Sequence, residues 1–143
     1  MTYWLFKSEP DVWGWDKQVA EGDIGEEWDG IRSYQARNNM RLMKIGDRGF
    51  FYHSRKGLEI VGIVEVCALS HPDSTTDDER WDCVDIRAVQ ALPRPISMVE
   101  VKATPSLAKM VLAVNTRLSI QPVTGEEWDI INAMAATDRV DTV

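Results

Sequence analysis

Only two cysteines and two histidines occur in 143 residues. That excludes a disulfide framework and leaves no ready set of nitrogen and sulfur ligands for a structural zinc. Cys67 and Cys83 each lie in an apolar or alternating stretch and read as buried, reduced thiols of a cytosolic protein. A zinc site would have to recruit carboxylates to His53 or His71 from elsewhere in the chain. No apolar run approaches the roughly 18 residues that a membrane helix needs. The start, Met1-Thr2-Tyr3-Trp4, has no basic segment ahead of an apolar one, so no signal peptide is expected and the location expected is cytoplasmic. Six prolines and nine glycines are too few for a linker-rich chain. Catalytic signatures are missing too: no G-x-G-x-x-G, Walker loop, G-x-S-x-G, H-E-x-x-H or C-x-x-C is present. His53 beside Ser54 comes nearest to a base and nucleophile, and a strand histidine bonded to its neighbours is the simpler reading. The acid pairs Asp77-Asp78 and Glu126-Glu127 read as solvation and helix capping. These residues point to no enzyme, no cofactor and no metal.

What remains is the composition of one ordinary globular domain, spanning 1–143, with 44% hydrophobic and 27% charged residues. A chain of this length buries about two-thirds of its unfolded surface and needs no staple. Its formal net charge of −7 argues against nucleic acid when taken as an average. The distribution argues otherwise. Residues 31–60 carry seven basic side chains (Arg32, Arg37, Arg41, Lys44, Arg48, Arg55, Lys56) against Asp47 and Glu59, a net +5 that leaves −12 for the rest. A basic segment in an acidic body suits a localised anion site.

Alternation and punctuation predict strands over 3–7, 47–54, 58–69, 81–92 and 117–123. A short helix is predicted over 11–20 and another over 33–43, where Ala36, Met40 and Met43 recur at helical spacing before Gly46. Two capping boxes, Ser97-x-x-Glu100 and Thr124-x-x-Glu127, open further helices, the last carrying Trp128, Ile131 and Met134. In the 58–69 strand Ile60, Val64 and Val66 are expected on one face, with Gly62 marking a bulge or a close approach. Residues 71–79 read as a loop, and Pro93 and Pro95 as the end of a strand. Strands joined mostly by hairpins, without a βαβ rhythm, give an α+β class: a strongly curved sheet or small β-barrel with peripheral short helices.

Tryptophan is the outstanding feature. Of six, four (Trp4, Trp13, Trp15, Trp28) fall in the first 28 residues, next to the basic segment. Trp81 and Trp128 read as core. Trp13 and Trp15, two apart across Gly14, cannot both face one core, so at least one ring is expected near the surface. Exposed rings beside arginines are what stacking on a nucleobase requires. The stretch from Trp28 to Asn39 adds Arg, Asn and Gln side chains, which fork onto base edges and phosphates, and Ser33 at a helix start. A solvated polar helix face is the equally weighted alternative.

Several segments together resemble the EVE domain family. They are Tyr3-Trp4-Leu5-Phe6-Lys7-Ser8-Glu9-Pro10, Trp28-Asp29-Gly30-Ile31-Arg32-Ser33-Tyr34-Gln35-Ala36-Arg37-Asn38, and Gly46-Asp47 running to Phe50-Phe51-Tyr52-His53-Ser54. Gly62-Ile63-Val64, Pro72-Asp73, Trp81 with Val84-Asp85, and Arg117 to Val123 extend the match over almost the whole chain. Position 33 is Ser where the family more often has Asn. The resemblance implies a PUA-like fold related to the YTH and ASCH domains. It also implies binding of nucleic acid with a modified base, flipped into an aromatic pocket, with modified cytosine in DNA favoured over RNA. On that reading Trp28 and Trp13 stack on the base with Tyr34 close by, and Trp4 is pocket floor or core. Lys7, Ser8, Ser33, Tyr52 and Ser54 supply polar contacts, while Arg32, Arg37 and Asn38 hold the flanking backbone, Arg32 ahead of Arg37. Gln35 and His53 complete the base-binding candidates. A short 71–81 loop and the lack of a basic tail before Met1 suggest a stand-alone protein of bacterial type, expected to be monomeric and away from membranes. The alternatives are an enzyme using a lone carboxylate such as Asp29, and a small-molecule or nucleotide-binding module.

Overall fold

The computed structural model describes residues 2–115 and 117–137. In chain order the elements are β1 (Tyr3–Ser8), α1 (Pro10–Trp13), α2 (Trp15–Ala20), β2 (Glu26–Glu27), α3 (Tyr34–Leu42), β3 (Arg48–His53), β4 (Glu59–Pro72), β5 (Asp82–Ser97), α4 (Met98–Ala103), α5 (Val111–Val114), β6 (Ile120–Val123) and α6 (Gly125–Ala136). The strands form one sheet in the order β2-β5-β4-β3-β1-β6. The two end strands do not pair with each other, so among the described residues the sheet curves but stays open rather than closing as a barrel. All pairings are antiparallel except β1 with β3. That parallel pair departs from the hairpin expectation. The chain leaves β1 through α1, α2, β2 and α3 and re-enters beside it in the same direction, as a crossover must.

Both faces of the sheet are covered, which is why its central strands read as unbroken apolar runs. On one face Leu5, Phe50, Tyr52, Ile60 and Ile96 pack with Val101, Leu112 and Ile131 from the C-terminal helices. On the other, Trp4, Phe6, Trp28, Phe51, Val64 and Ile86 pack with Ala36 and Met40 of α3. Trp128 is core as predicted, its ring stacked between Tyr3 and Phe50 at 4.3 Å each. Both capping boxes form, on α4 and α6, and Ser33 caps α3 by accepting the Ala36 N–H.

Bulges account for the differences from the periodicity. Register slips between Ile60 and Gly62 and again between Ile63 and Val64. Ile60 therefore faces one core while Val64 and Val66 face the other, not a shared face. Gly62 is both bulge and close approach: a Cβ there would lie inside the Trp15 ring. Pro93 and Pro95 do not end β5, because its pairing with β4 skips from Ala91 to Ile96 and asks no ladder N–H of them. β4 likewise runs on through His71, opposite Cys83, to Pro72, so the predicted loop begins two residues later, at Asp73. β6 is shorter than predicted, and the 11–20 helix is two pieces broken at Gly14. Among the described residues no helix is long and apolar enough to cross a membrane.

Candidate nucleic-acid interface

The parallel strands β1 and β3 end side by side, with Lys7 opposite Tyr52 and Ser8 opposite His53. Two cavities that share Lys7 and Glu9 open at this end of the sheet, the kind of place where parallel strands commonly present ligands. The smaller holds about 300 Å³ and is lined by Lys7, Ser8, Glu9, Val12, Trp13, Glu27, Trp28, Asp29 and Ile31. That is the lower end of small-molecule pocket sizes.

Its two rings are held differently. Trp28 is 7% exposed and set edge-on to Phe6 (5.4 Å) and Phe51 (5.6 Å), so it belongs to the core as much as to the cavity. Its N–H donates to the Val84 carbonyl at 2.8 Å, which ties the residue to β5. Trp13 is half-buried, and its Nε1–H donates to Gln18 Oε1 at 2.9 Å. Gln18 is fully buried and donates its own amide to the Ile86 carbonyl at 3.0 Å. Ser8 Oγ donates to the Trp13 carbonyl at 2.5 Å. Trp13 is thus anchored at ring and backbone while keeping exposed area for a partner.

The loop from Trp28 to α3 is held by Asp73. This buried carboxylate accepts the Gly30 N–H at 2.8 Å, Arg32 Nη1 at 3.1 Å, and both the N–H and hydroxyl of Thr75. Burial alone would raise its pKa, but these donors outweigh it and hold the carboxyl at about 2. Asp29, on the cavity wall, shifts the other way: burial first, then the charges of Asp73, Glu27 and Glu26, push it up against the opposing pull of Arg32. Burial also lowers the Lys7 ammonium, which lies between the two cavities.

The larger cavity, about 600 Å³, is lined by Lys7, Glu9, Tyr52, Ser54, Arg55, Leu58, Met98, Lys102, Arg117 and Ser119. Two predicted base contacts, Tyr52 and Ser54, therefore line this cavity and not the tryptophan one. Other candidates lie elsewhere. Trp4 is in the core, its Nε1–H donating to Asp47 Oδ2 at 3.1 Å. His53 accepts the Trp15 N–H at 3.1 Å, the neighbour-bonded role expected of a strand histidine. Tyr34 lines neither cavity; it stacks on Trp81 at 5.1 Å, with the Arg37 guanidinium 4.8 Å from its ring. Arg37 also donates to the Arg80 carbonyl and to Asn38, while Gln35 and Asn38 lie exposed on α3. Arg32, favoured over Arg37 for the flanking backbone, is the more firmly engaged internally, through its ion pair with Asp73.

The basic segment does not survive as a patch. Arg32, Arg41, Arg48, Arg55 and Lys56 pair with Asp73, Asp82, Glu65, Glu9 and Asp11, acids from the rest of the chain. Folding joins the two halves of the charge asymmetry. Of the larger cavity's cations, Arg55 comes from the basic segment, while Lys7, Lys102 and Arg117 come from β1, α4 and the approach to β6. Gln18 and Asp73 were missed as site-forming residues; Asp73 falls in a family-like segment, but nothing in the sequence around Gln18 distinguishes it from a surface helix residue.

One group of metal-ligand type occurs among the described residues: Glu27, His71 and Cys83, with ligand atoms within 4.8 Å of one another. Each is bonded within the protein. Cys83 Sγ lies 3.3 Å from Glu27 Oε1, Ser74 Oγ donates to Glu27 Oε2 at 2.6 Å, and His71 Nε2 meets Asp85 at 2.7 Å. Burial, then the contact with Glu27, pushes the Cys83 thiol well up, so it is a neutral donor here.

An open, curved α+β sheet carrying a tryptophan-walled cavity and a cationic one defines the class. The chain belongs to the EVE domain family, whose match spans residues 2–134. The crystal structure of protein Atu2648 from Agrobacterium tumefaciens is 61% identical, with a TM-score of 0.94 over 97% of this chain and 96% of that one. Human THYN1, in complex with 5-methylcytosine-containing DNA, is 32% identical with a TM-score of 0.88 over 96% of this chain and 99% of that one. Mouse thymocyte nuclear protein 1 is 36% identical over 96% of this chain and 75% of its own length. A YTH domain of Zygosaccharomyces rouxii, at 12% identity and a TM-score of 0.56, shares the fold.

Proposed function

We propose that the chain is a non-catalytic reader of a modified base, which it flips into the cavity between Trp13 and Trp28, with modified cytosine in DNA as the base read. One observation carries this reading: a cavity of about 300 Å³ walled by a half-buried and a buried tryptophan, with Asp29 among the carboxylates (Glu9, Glu27, Asp29) on its lining. Extruding a base costs a few kcal/mol and stacking returns about 1–3 kcal/mol per base, so an anchored ring such as Trp13 offsets much of the expense. A carboxylate accepts the exocyclic amine that cytosine has and thymine lacks. Asp29 therefore favours a methylated cytosine over thymine, which carries the same methyl. The methyl itself adds only about 0.8 kcal/mol by burial, so preference over plain cytosine is modest, about fourfold. The complex of human THYN1 with 5-methylcytosine-containing DNA supports the same substrate class.

The test is fluorescence-anisotropy titration at fixed low salt with matched DNA and RNA oligomers, each with and without one 5-methylcytosine. Tightest binding to modified DNA, lost in Trp13→Ala, is the expected result. Tightest binding to modified RNA would keep the reader and change its polymer. Equal binding to all four would overturn it.

A further inference from the structure

We propose that the larger cavity is a phosphate site, taking the phosphate of the nucleotide adjoining the base held between Trp13 and Trp28. This rests on the base-reader reading, since Lys7 and Glu9 line both cavities and so make them adjacent.

Two independent observations point to an anion. First, the charge is local: Lys7, Arg55, Lys102 and Arg117 converge around one carboxylate, Glu9, on a chain whose net charge is −7. Glu9 is matched by Arg55 at 3.0 Å, while among the described residues Lys102 and Arg117 form no ion pair. These cations come from separate elements, so helix or strand stability does not explain their convergence. Second, Tyr52 is 1% exposed and, among the described residues, its hydroxyl has no hydrogen-bond partner, although the residue lines this cavity. Burying an unbonded hydroxyl is unfavourable by about 1–3 kcal/mol, and such groups in native folds call for an explanation. Burial holds this phenol protonated up to about 12, so it is a hydrogen-bond donor at neutral pH, suited to an anionic oxygen.

A wall of cations and a hydroxyl donor, whose Tyr52 ring is too buried to stack on a base, recognises phosphate oxygens without regard to sequence. The phosphate belongs either to a polymer or to a free nucleotide, and the two sources share this chemistry.

The double variant Lys102→Gln/Arg117→Gln separates them, with Tyr52→Phe as companion. Oligomers with and without 5-methylcytosine are titrated across a salt series, alongside deoxycytidine, its 5′-monophosphate and inorganic phosphate. The double variant is expected to lose about tenfold in affinity for both oligomers equally, with the salt slope falling by about 1–2. Tyr52→Phe is expected to weaken oligomer binding several-fold while its thermal midpoint holds or rises, an outcome that a purely structural role would not produce. Monophosphate binding as tight as an oligomer's, and lost in the double variant, would assign the site to a free nucleotide. Unchanged affinities in both variants would overturn the proposal, as would a loss confined to the modified oligomer with the salt slope unaltered. Wild-type protein that shows no base preference yet still depends on Lys102 and Arg117 would sink the base reader and leave the phosphate site standing.

Discussion

Asp73 grips the backbone of Gly30: its Oδ2 accepts the Gly30 N–H at 2.8 Å, from 43 positions away in the chain. Gly30 has φ of 81°, a conformation that glycine adopts freely, and the loop turns there between Trp28 and the start of α3. Through this bond the strand β4 end dictates where Trp28, Asp29 and Ile31 stand. Removing the carboxylate strands several donors at once, so Asp73→Ala is expected to lower unfolding stability by about 2–4 kcal/mol in urea denaturation. A midpoint equal to wild type would refute that role.

The same carboxylate gives an acid limb to stability. Its pKa is held at about 2 in the fold, against roughly 3.9 in the unfolded chain. Its contribution is therefore complete above pH about 4 and lost as pH falls through about 2, amounting to roughly 2 kcal/mol at neutral pH. The stability gap between wild type and Asp73→Ala should narrow by about that amount between pH 6 and pH 2. A constant gap would mean that Asp73 acts by packing alone.

The two cavity tryptophans should separate function from stability. Trp28→Ala opens the core against Phe6 and Phe51 and is expected to lose about 3–5 kcal/mol of stability. Trp13→Ala removes a half-buried ring and should leave a folded protein whose affinity for a modified oligomer drops about tenfold. Circular dichroism melts alongside the binding titrations check both halves. Equal stability losses in the two variants would contradict the different anchoring of the rings.

Burial first, and then its acidic neighbours, disfavour the charge on Asp29, so its carboxyl ionises at a higher pH in the fold than in the unfolded chain. A raised carboxyl favours folding as pH falls through its value and opposes it once ionised. Asp29→Asn should thus hold or raise stability at neutral pH. It should also erase the preference for 5-methylcytosine over thymine in otherwise identical oligomers, read by competition anisotropy. Retained preference would remove Asp29 from base recognition.

Gly62→Ala forces a methyl into the Trp15 ring. A loss of about 1–3 kcal/mol is expected, with most of it absent when the same change is made in a Trp15→Ala background. Additive effects in the double-mutant cycle would mean that the bulge, not the ring, requires glycine.

Much of this fold is legible in local sequence. Ser97 and Thr124 with their Glu partners three residues on make both capping boxes, because those bonds close within one turn. Ser33 opening α3, and glycine at position 62, follow from equally short-range rules. The two-residue spacing of Trp13 and Trp15 shows that both cannot face one core, whereas Trp28 as a stacking ring rests on the family resemblance alone. What local sequence could not supply is which side chains meet. Arg32 and Asp73 are 41 residues apart, Arg41 and Asp82 likewise, so a segment that is basic in sequence becomes ion-paired only when the acidic half folds over it. Tyr34 is expected beside the stacking ring and Tyr52 among the polar contacts of one pocket, yet the parallel register of β1 and β3 sets Tyr52 opposite Lys7 beside the larger cavity, while α3 carries Tyr34 to Trp81. The bulges in β4 moved Ile60 to the opposite face from Val64, since a single added residue reverses every side chain beyond it. The chain by itself determined most of the elements and their caps. Tertiary structure decided the cavities, because the distance between two side chains far apart in sequence depends on strand register and crossover, which no local pattern encodes.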